Sequence, residues 1–245
     1  MNNLTLVAYY GEKSRHLLSV INSCLDTING SSIAEFFIPY PVTQIHATII
    51  GMEWMTIEGK PVNQNYYQLS AKKNEININS FAQIIDNTFP IEIQIGGFDK
   101  EYKGFKSLGK HPYERSFQIN KETNKVILIG WPNNYGNFQR RTLEELRATL
   151  KKKCHIAHKY KNDNDLYFVL GEVKRPKEIT EINFIKSLKR TEKSMRDLLS
   201  KNSCNIRLNT ENLSLVSYSS TDLNESSSRV YPFQQYYRNI GQLFK

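Results

Sequence analysis

Gln44-Ile45-His46-Ala47-Thr48-Ile49-Ile50-Gly51-Met52 is the stretch on which the reading of this chain turns. Ile45, Ala47 and Ile49 alternate with His46, Thr48 and Ile50, the period of a buried strand. Successive side chains of a strand point to opposite faces, so His46 and Thr48 share one face, roughly 7 Å apart along the chain. An imidazole and a hydroxyl thus stand side by side on an otherwise apolar strand. A hydroxyl can hold a phosphate oxygen, and an imidazole of near-neutral pKa can move a proton. The plain alternative for His46 is a core histidine satisfied by a backbone carbonyl.

Outward from this strand, residues 4–10 (LTLVAYY) form a β-branched and aromatic run that predicts another buried strand. Between the two, Leu17, Val20, Ile21, Cys24, Leu25 and Ile28 recur at helical spacing after a capping Ser14. Residues 53–79 have weak periodicity and read as loop with a short helix or strand; Phe81, Ile84 and Ile85 mark a brief helix. Ile91, Ile93 and Ile95 predict a half-buried strand. Residues 99–114, rich in Gly and Lys, read as loop, and 116–120 with 125–131 as a hairpin. Leu143, Leu146 and Leu150 mark an amphipathic helix ending in Lys151-Lys152-Lys153, which suits the negative end of a helix dipole.

Residues 166–173 (LYFVLGEV) are the second strongly apolar strand. The longest helix is expected over 178–200, with Ile182, Ile185, Leu188, Met195, Leu198 and Leu199 inward, followed by one or two strands in 205–219. Residues 219–228 read as a Ser-rich linker and 230–245 as an aromatic tail docked on the body, so the division expected is 1–220 and 221–245. A helix followed by an apolar strand occurs twice, ending at 46–50 and at 166–173. That echo is what a two-lobed α+β fold with pseudo-twofold symmetry shows.

With 245 residues, 39% of them hydrophobic, the chain can bury a real core. A net charge of +9, from 33 Lys+Arg against 24 Asp+Glu, favours RNA, DNA or a nucleotide as partner, with general solubility as the plain alternative. Cys24, Cys154 and Cys204 are far apart and form no C-x-x-C pair, which argues against a disulfide framework or zinc site and for a reducing compartment. Met1-Asn2-Asn3-Leu4 shows no basic region leading into an apolar run, so a cytoplasmic location is expected. The longest uncharged stretch, residues 36–52, is too short and polar to span a membrane. Phosphate-loop, dinucleotide-fold, zinc-protease and nucleophile-elbow motifs are all missing, so neither a metal nor a cofactor is expected.

Ile45-His46-Ala47-Thr48-Ile49, with the order of elements over roughly residues 4–220, resembles the 2H phosphoesterase superfamily, which includes bacterial 2′-5′ RNA ligase-like and cyclic phosphodiesterase proteins. Its pattern is two H-x-[ST] motifs, each on a central strand of one lobe, facing across a cleft. The resemblance implies mostly antiparallel sheets, helices packed outside and a central cleft. It also implies metal-independent opening of a phosphodiester in RNA or a small cyclic nucleotide. One histidine would take a proton, the other would give one, and the hydroxyls would hold the phosphate. His46 and Thr48 match the first motif. Where the second belongs, this chain carries Tyr167-Phe168-Val169, so Tyr167 is the candidate acid and Val169 cannot hydrogen-bond at all.

His111 and His158, on loops near strands, and Arg115, a phosphate-neutralising cation, are the candidates for completing the site; a solvated loop position is the alternative for His158. Basic clusters at 151–153, 159/161, 174–177 and 186–196 suggest a positive surface near the second strand. Three functions remain open: a phosphodiesterase, a nucleotide- or RNA-binding module of the same fold that no longer cleaves, and a structural or interaction protein.

Overall fold

The computed structural model describes residues 3–138 and 141–244; Met1, Asn2, Gln139, Arg140 and Lys245 lie outside the described residues, so the termini of the expected 1–220 and 221–245 division are not covered. The first half runs β1 (Leu4–Ala8), α1 (Arg15–Asn29), β2 (Phe37–Pro39), β3 (Ala47–Gly51), β4 (Trp54–Ile57), β5 (Lys60–Asn63), α2 (Gln64–Ser70), α3 (Phe81–Thr88) and β6 (Ile91–Gly96). Then come α4 (Pro112–Arg115), β7 (Phe117–Ile119), β8 (Lys125–Pro132), α5 (Thr142–Cys154), β9 (Leu166–Val173), α6 (Glu181–Lys201), β10 (Ser203–Leu208), β11 (Leu213–Tyr218), β12 (Ser228–Pro232) and α7 (Phe233–Tyr236). The class is α+β, and the strands pair antiparallel.

A ten-stranded sheet carries the molecule, in the order β10-β6-β8-β9-β3-β1-β11-β12, with β2 added to β9 and β7 to β8. The halves meet where β3 touches β9, through the pair Ala47 and Phe168. One sheet face, with Leu6, Ala47, Phe168, Leu128 and Ile93, packs against the apolar stripes of α1, α3, α5 and α6 in a single core. The other face is open at the seam and flanked by two smaller clusters. Val7, Val216 and Leu223 form one. Phe98, Ile129 and Trp131 form the other, with Tyr102, Phe105 and Phe138 packed on them. The Gly- and Lys-rich segment expected to be plain loop is thus pinned to the sheet by its aromatic rings.

Three expectations are corrected. The strand around His46 starts at Ala47, because Gln44 and Ile45 donate their backbone N–H groups into a turn closed by Pro41. Strict alternation also breaks inside it: Val7 pairs Thr48 and Leu6 pairs Ile50, so Ile49 is an extra, bulged residue and Ile50 turns into the core. On α6 the buried stripe is Phe184, Leu188, Thr191, Met195 and Leu199. Ile182 is 68% exposed, because it lies two positions, about 200° of helix, from Phe184.

Residues 219–228 are not a linker between units. They connect β11 to β12 in a hairpin, where Tyr10 donates to the Leu223 carbonyl and Gln44 to that of Asp222. Phe233, Ile240 and Phe244 are buried in the main core. Among the described residues, no helix is long and apolar enough to cross a membrane. Cys24, Cys154 and Cys204 are buried free thiols.

Candidate functional site

A cavity of about 330 Å³ opens on the seam, lined among others by His46, Thr48, His158, Tyr167 and Val169. Such a volume sits at the lower end of small-ligand sites. His46 and Thr48 are half-buried, while Ile45, Ala47 and Ile49 between and beside them are sealed in the core. Tyr167 and Val169 are likewise half-buried around a sealed Phe168. Extending the antiparallel pair Ala47–Phe168 by one residue each way sets Thr48 opposite Tyr167 and His46 opposite Val169.

The two strands also share a defect. In β9, Val169 pairs Ile127 and Gly171 pairs Val126, which leaves Leu170 bulged, as Ile49 is in β3. One constant step along the chain therefore carries His46 to Tyr167, Ala47 to Phe168, Thr48 to Val169 and the bulged Ile49 to the bulged Leu170. This internal symmetry, not strand ends, identifies Tyr167-Phe168-Val169 as the structural counterpart of His46-Ala47-Thr48. Gly171 is needed at this bend: a Cβ there would lie 2.3 Å from the Ile38 carbonyl oxygen of β2.

His46 Nδ1–H donates to the Gln44 carbonyl at 2.7 Å, which places the lone pair on Nε2. Its ring packs against Tyr10, centroids 5.7 Å apart. Burial, helped by the nearby Lys13 ammonium, holds the imidazole below its ordinary pKa, so it is neutral at pH 7. Both expectations for His46 thus hold at once: one nitrogen is satisfied by a carbonyl and the ring still lines the cavity. Tyr167 is pushed up to about 12 by burial, so its phenol stays protonated at neutral pH.

Around this pair, Tyr218 donates to Glu53 at 2.6 Å, and Lys125 binds Glu172 at 2.6 Å and the Tyr40 hydroxyl. Tyr40, Tyr160, Tyr167 and Tyr218 give the cavity an aromatic lining. Its lysines, Lys125 and Lys159, are balanced by Glu53 and Asp222.

His158 is buried on the irregular chain between α5 and β9, and Nε2–H donates to Asp163 at 2.9 Å. Burial holds it below its ordinary pKa. His111 and Arg115 do not line the cavity, and both have structural work elsewhere. His111 Nε2–H donates to the Tyr102 carbonyl at 2.6 Å and Nδ1 accepts from the Tyr113 N–H at 3.1 Å, capping α4. Arg115 is paired with Asp165, which also accepts from Ser107 at 2.6 Å and Trp131 at 2.7 Å. A cation already neutralised inside the fold has little left for a phosphate. On α6, Lys186, Lys189, Arg190 and Lys193 face solvent; of the basic clusters, only Lys159 reaches the cavity.

Arg147 was missed by sequence reasoning. It is 4% exposed and donates to the carbonyls of Ile49 at 3.0 Å, Thr48 at 3.3 Å, Asp163 at 2.8 Å and Asp165 at 3.2 Å. It thereby ties the end of β3 to the chain entering β9, one half of the site to the other. A charge beside the apolar stripe Leu143, Leu146, Leu150 was the signal. Among the described residues no group of three or more His, Cys, Asp or Glu is placed to hold a metal ion.

No protein-family model matches the chain, and no curated protein matches it. Among solved structures, it is similar to LigT of E. coli complexed with phosphate, at 8% identity, TM-score 0.41, covering 94% of this chain and 93% of that one. It is similar to Usb1 of Kluyveromyces marxianus with uridine monophosphate, at 11% identity, TM-score 0.44, covering 94% and 98%. TT0787 of Thermus thermophilus follows, at 11% identity, TM-score 0.40, covering 94% and 93%.

Proposed function

We propose that this protein takes a phosphodiester of an RNA end or a small cyclic nucleotide in the seam cavity and opens it by acid–base chemistry without a metal. The observation that carries the reading is that a neutral imidazole, His46, its Nε2 unbonded, directly before β3, and the Thr48 hydroxyl within β3 line the same cavity. His46 Nε2 exchanges the proton and Thr48 donates a hydrogen bond to a phosphate oxygen. Tyr167, protonated at neutral pH, is better suited to donate a hydrogen bond than to give its proton away. The aromatic walls suit a base lying flat.

Turnover of a 2′,3′-cyclic nucleotide tests the reading. His46→Ala is expected to lower kcat by roughly 10²–10⁴-fold, the usual worth of a proton-transfer group; a rate indifferent to this change removes His46 from the chemistry. Val169, where the second hydroxyl would stand, favours a second reading, a module that binds nucleotide or RNA without cleaving it. Salt-dependent binding without any turnover would decide for that one.

A further inference from the structure

Glu53, between β3 and β4, lines the seam cavity beyond Thr48. Among the described residues β3 and β9 pair at Ala47–Phe168 only, so past Thr48 the two strands part. At the His46 end, by contrast, Lys125, Glu172 and Tyr40 already hold one another. The Glu53 carboxylate is fixed from two sides. Tyr218 donates to Oε1 at 2.6 Å, and a Cβ on Gly51 would lie 2.4 Å from Oε2, so the missing side chain gives the carboxylate its room. Among the described residues Oε2 accepts from no donor, and no cation comes within ion-pair distance of Glu53. Nor is the group sealed: Glu53 is half-buried, and Oε2 keeps contact with solvent. Asn65 of α2 lines the same cavity, its side-chain amide also without a partner among the described residues.

A carboxylate with no cation repels a phosphate and accepts from N–H donors instead. Guanine presents two adjacent donors on one edge, N1–H and the N2 amine, which match the two oxygens of a carboxylate. Oε1 has a lone pair left beside the Tyr218 hydroxyl. Adenine and cytosine set one amine beside a bare ring nitrogen, and uracil sets its N–H between two carbonyl oxygens. Each of these turns a lone pair toward the carboxylate. The Asn65 amide is a donor suited to guanine O6. Resting on the phosphodiester reading above, we propose that Glu53 makes the cavity selective for guanine. The ligand is then a guanosine nucleotide or the guanosine end of an RNA, its phosphate at His46 and Thr48 and its base edge on Glu53. Gly51 and Tyr218 are the positioning residues.

The test is calorimetry on the full chain with the 3′-monophosphates of guanosine, inosine, adenosine, cytidine and uridine. The guanosine ester is expected to bind roughly ten- to a hundredfold more tightly than the adenosine ester, the worth of hydrogen bonds to a charged group. Inosine, which lacks the N2 amine, is expected to bind about tenfold more weakly than guanosine. Glu53→Gln is expected to bring the guanosine and adenosine affinities together, and Gly51→Ala, which displaces the carboxylate without removing it, to narrow the gap. Equal binding of all the esters, or inosine bound as tightly as guanosine, overturns the selectivity and leaves the phosphodiester reading standing. An unchanged guanosine-to-adenosine ratio in Glu53→Gln overturns the role of Glu53. No binding of any ester sinks both readings. The inosine comparison uses the wild type, so it decides even where a variant fails to fold.

Discussion

Tyr167 stands where the internal twofold of the sheet carries His46: each precedes by one residue the pair Ala47–Phe168 at the seam, and each is followed three residues later by a bulge. The two halves of the cavity share a backbone and differ in chemistry. One presents an imidazole and an alcohol, the other a phenol and an isopropyl group. A ligand bound there is held asymmetrically.

Removing the phenol oxygen alone separates hydrogen bonding from packing. Tyr167→Phe keeps the ring in its cluster with Ile129 and Trp131. A hydrogen bond to a charged group is worth about 1.5–3 kcal/mol, so kcat/KM for a cyclic nucleotide is expected to fall roughly ten- to a hundredfold. Steady-state kinetics checks it; an unchanged value means that Tyr167 serves packing only.

Restoring the hydroxyl that symmetry lacks is the converse experiment. Val169 is half-buried on the cavity wall, so Val169→Thr can keep its new oxygen wet. One neutral hydrogen bond of about 0.5–1.5 kcal/mol predicts a two- to tenfold gain in affinity for a nucleoside monophosphate, read by calorimetry. Weaker binding would show that the phosphate does not lie between the two strands.

Stability is expected to fall as pH drops below about 6.5. His46 and His158 are both held below the ordinary value of 6.5 in the folded chain. Above that value both states are neutral and the two rings add no pH dependence. Below it the unfolded chain binds protons that the folded one still refuses, so unfolding is favoured until the folded rings also titrate. Thermal melts from pH 8 to 5 check the sign, and His46→Ala with His158→Gln should flatten the slope.

Arg147→Met tests the tie between the halves. It strips the carbonyls of Thr48, Ile49 and Asp165 of their donor and leaves Asp163 without its guanidinium. Breaking a buried pair by removing one partner typically costs about 3–5 kcal/mol, which urea unfolding would show as a lower midpoint. On α6, Phe184→Ala is expected to cost about 3–5 kcal/mol and Ile182→Ser under about 0.5 kcal/mol, the reverse of what their hydropathy in sequence suggests.

Much of the framework was legible in the chain. The period-two run at 91–95 and the apolar run at 166–173 are strands, and the three- and four-residue spacing of Leu17, Ile21, Cys24 and Ile28 is helix. Where the pattern misled, a local count was asked to decide a three-dimensional question. Ile50 looked like a cavity residue until the bulge at Ile49 turned it inward. Ile182 looked buried because it is isoleucine, although Phe184 fixes the stripe. Arg115 and His111 looked like ligands because nothing in sequence announces that Asp165 and the Tyr102 carbonyl already hold them.

The sequence by itself determined that His46 and Thr48 share a strand face and that Tyr167 and Val169 share another, because side-chain direction along a strand is a matter of parity. Only the tertiary structure decided that the two faces meet over one cavity, that both strands bulge at the same step, and that His158 lines that cavity too. Those facts depend on pairings between residues from about forty to more than a hundred positions apart, and local chain geometry carries no information about which distant strand will close the sheet.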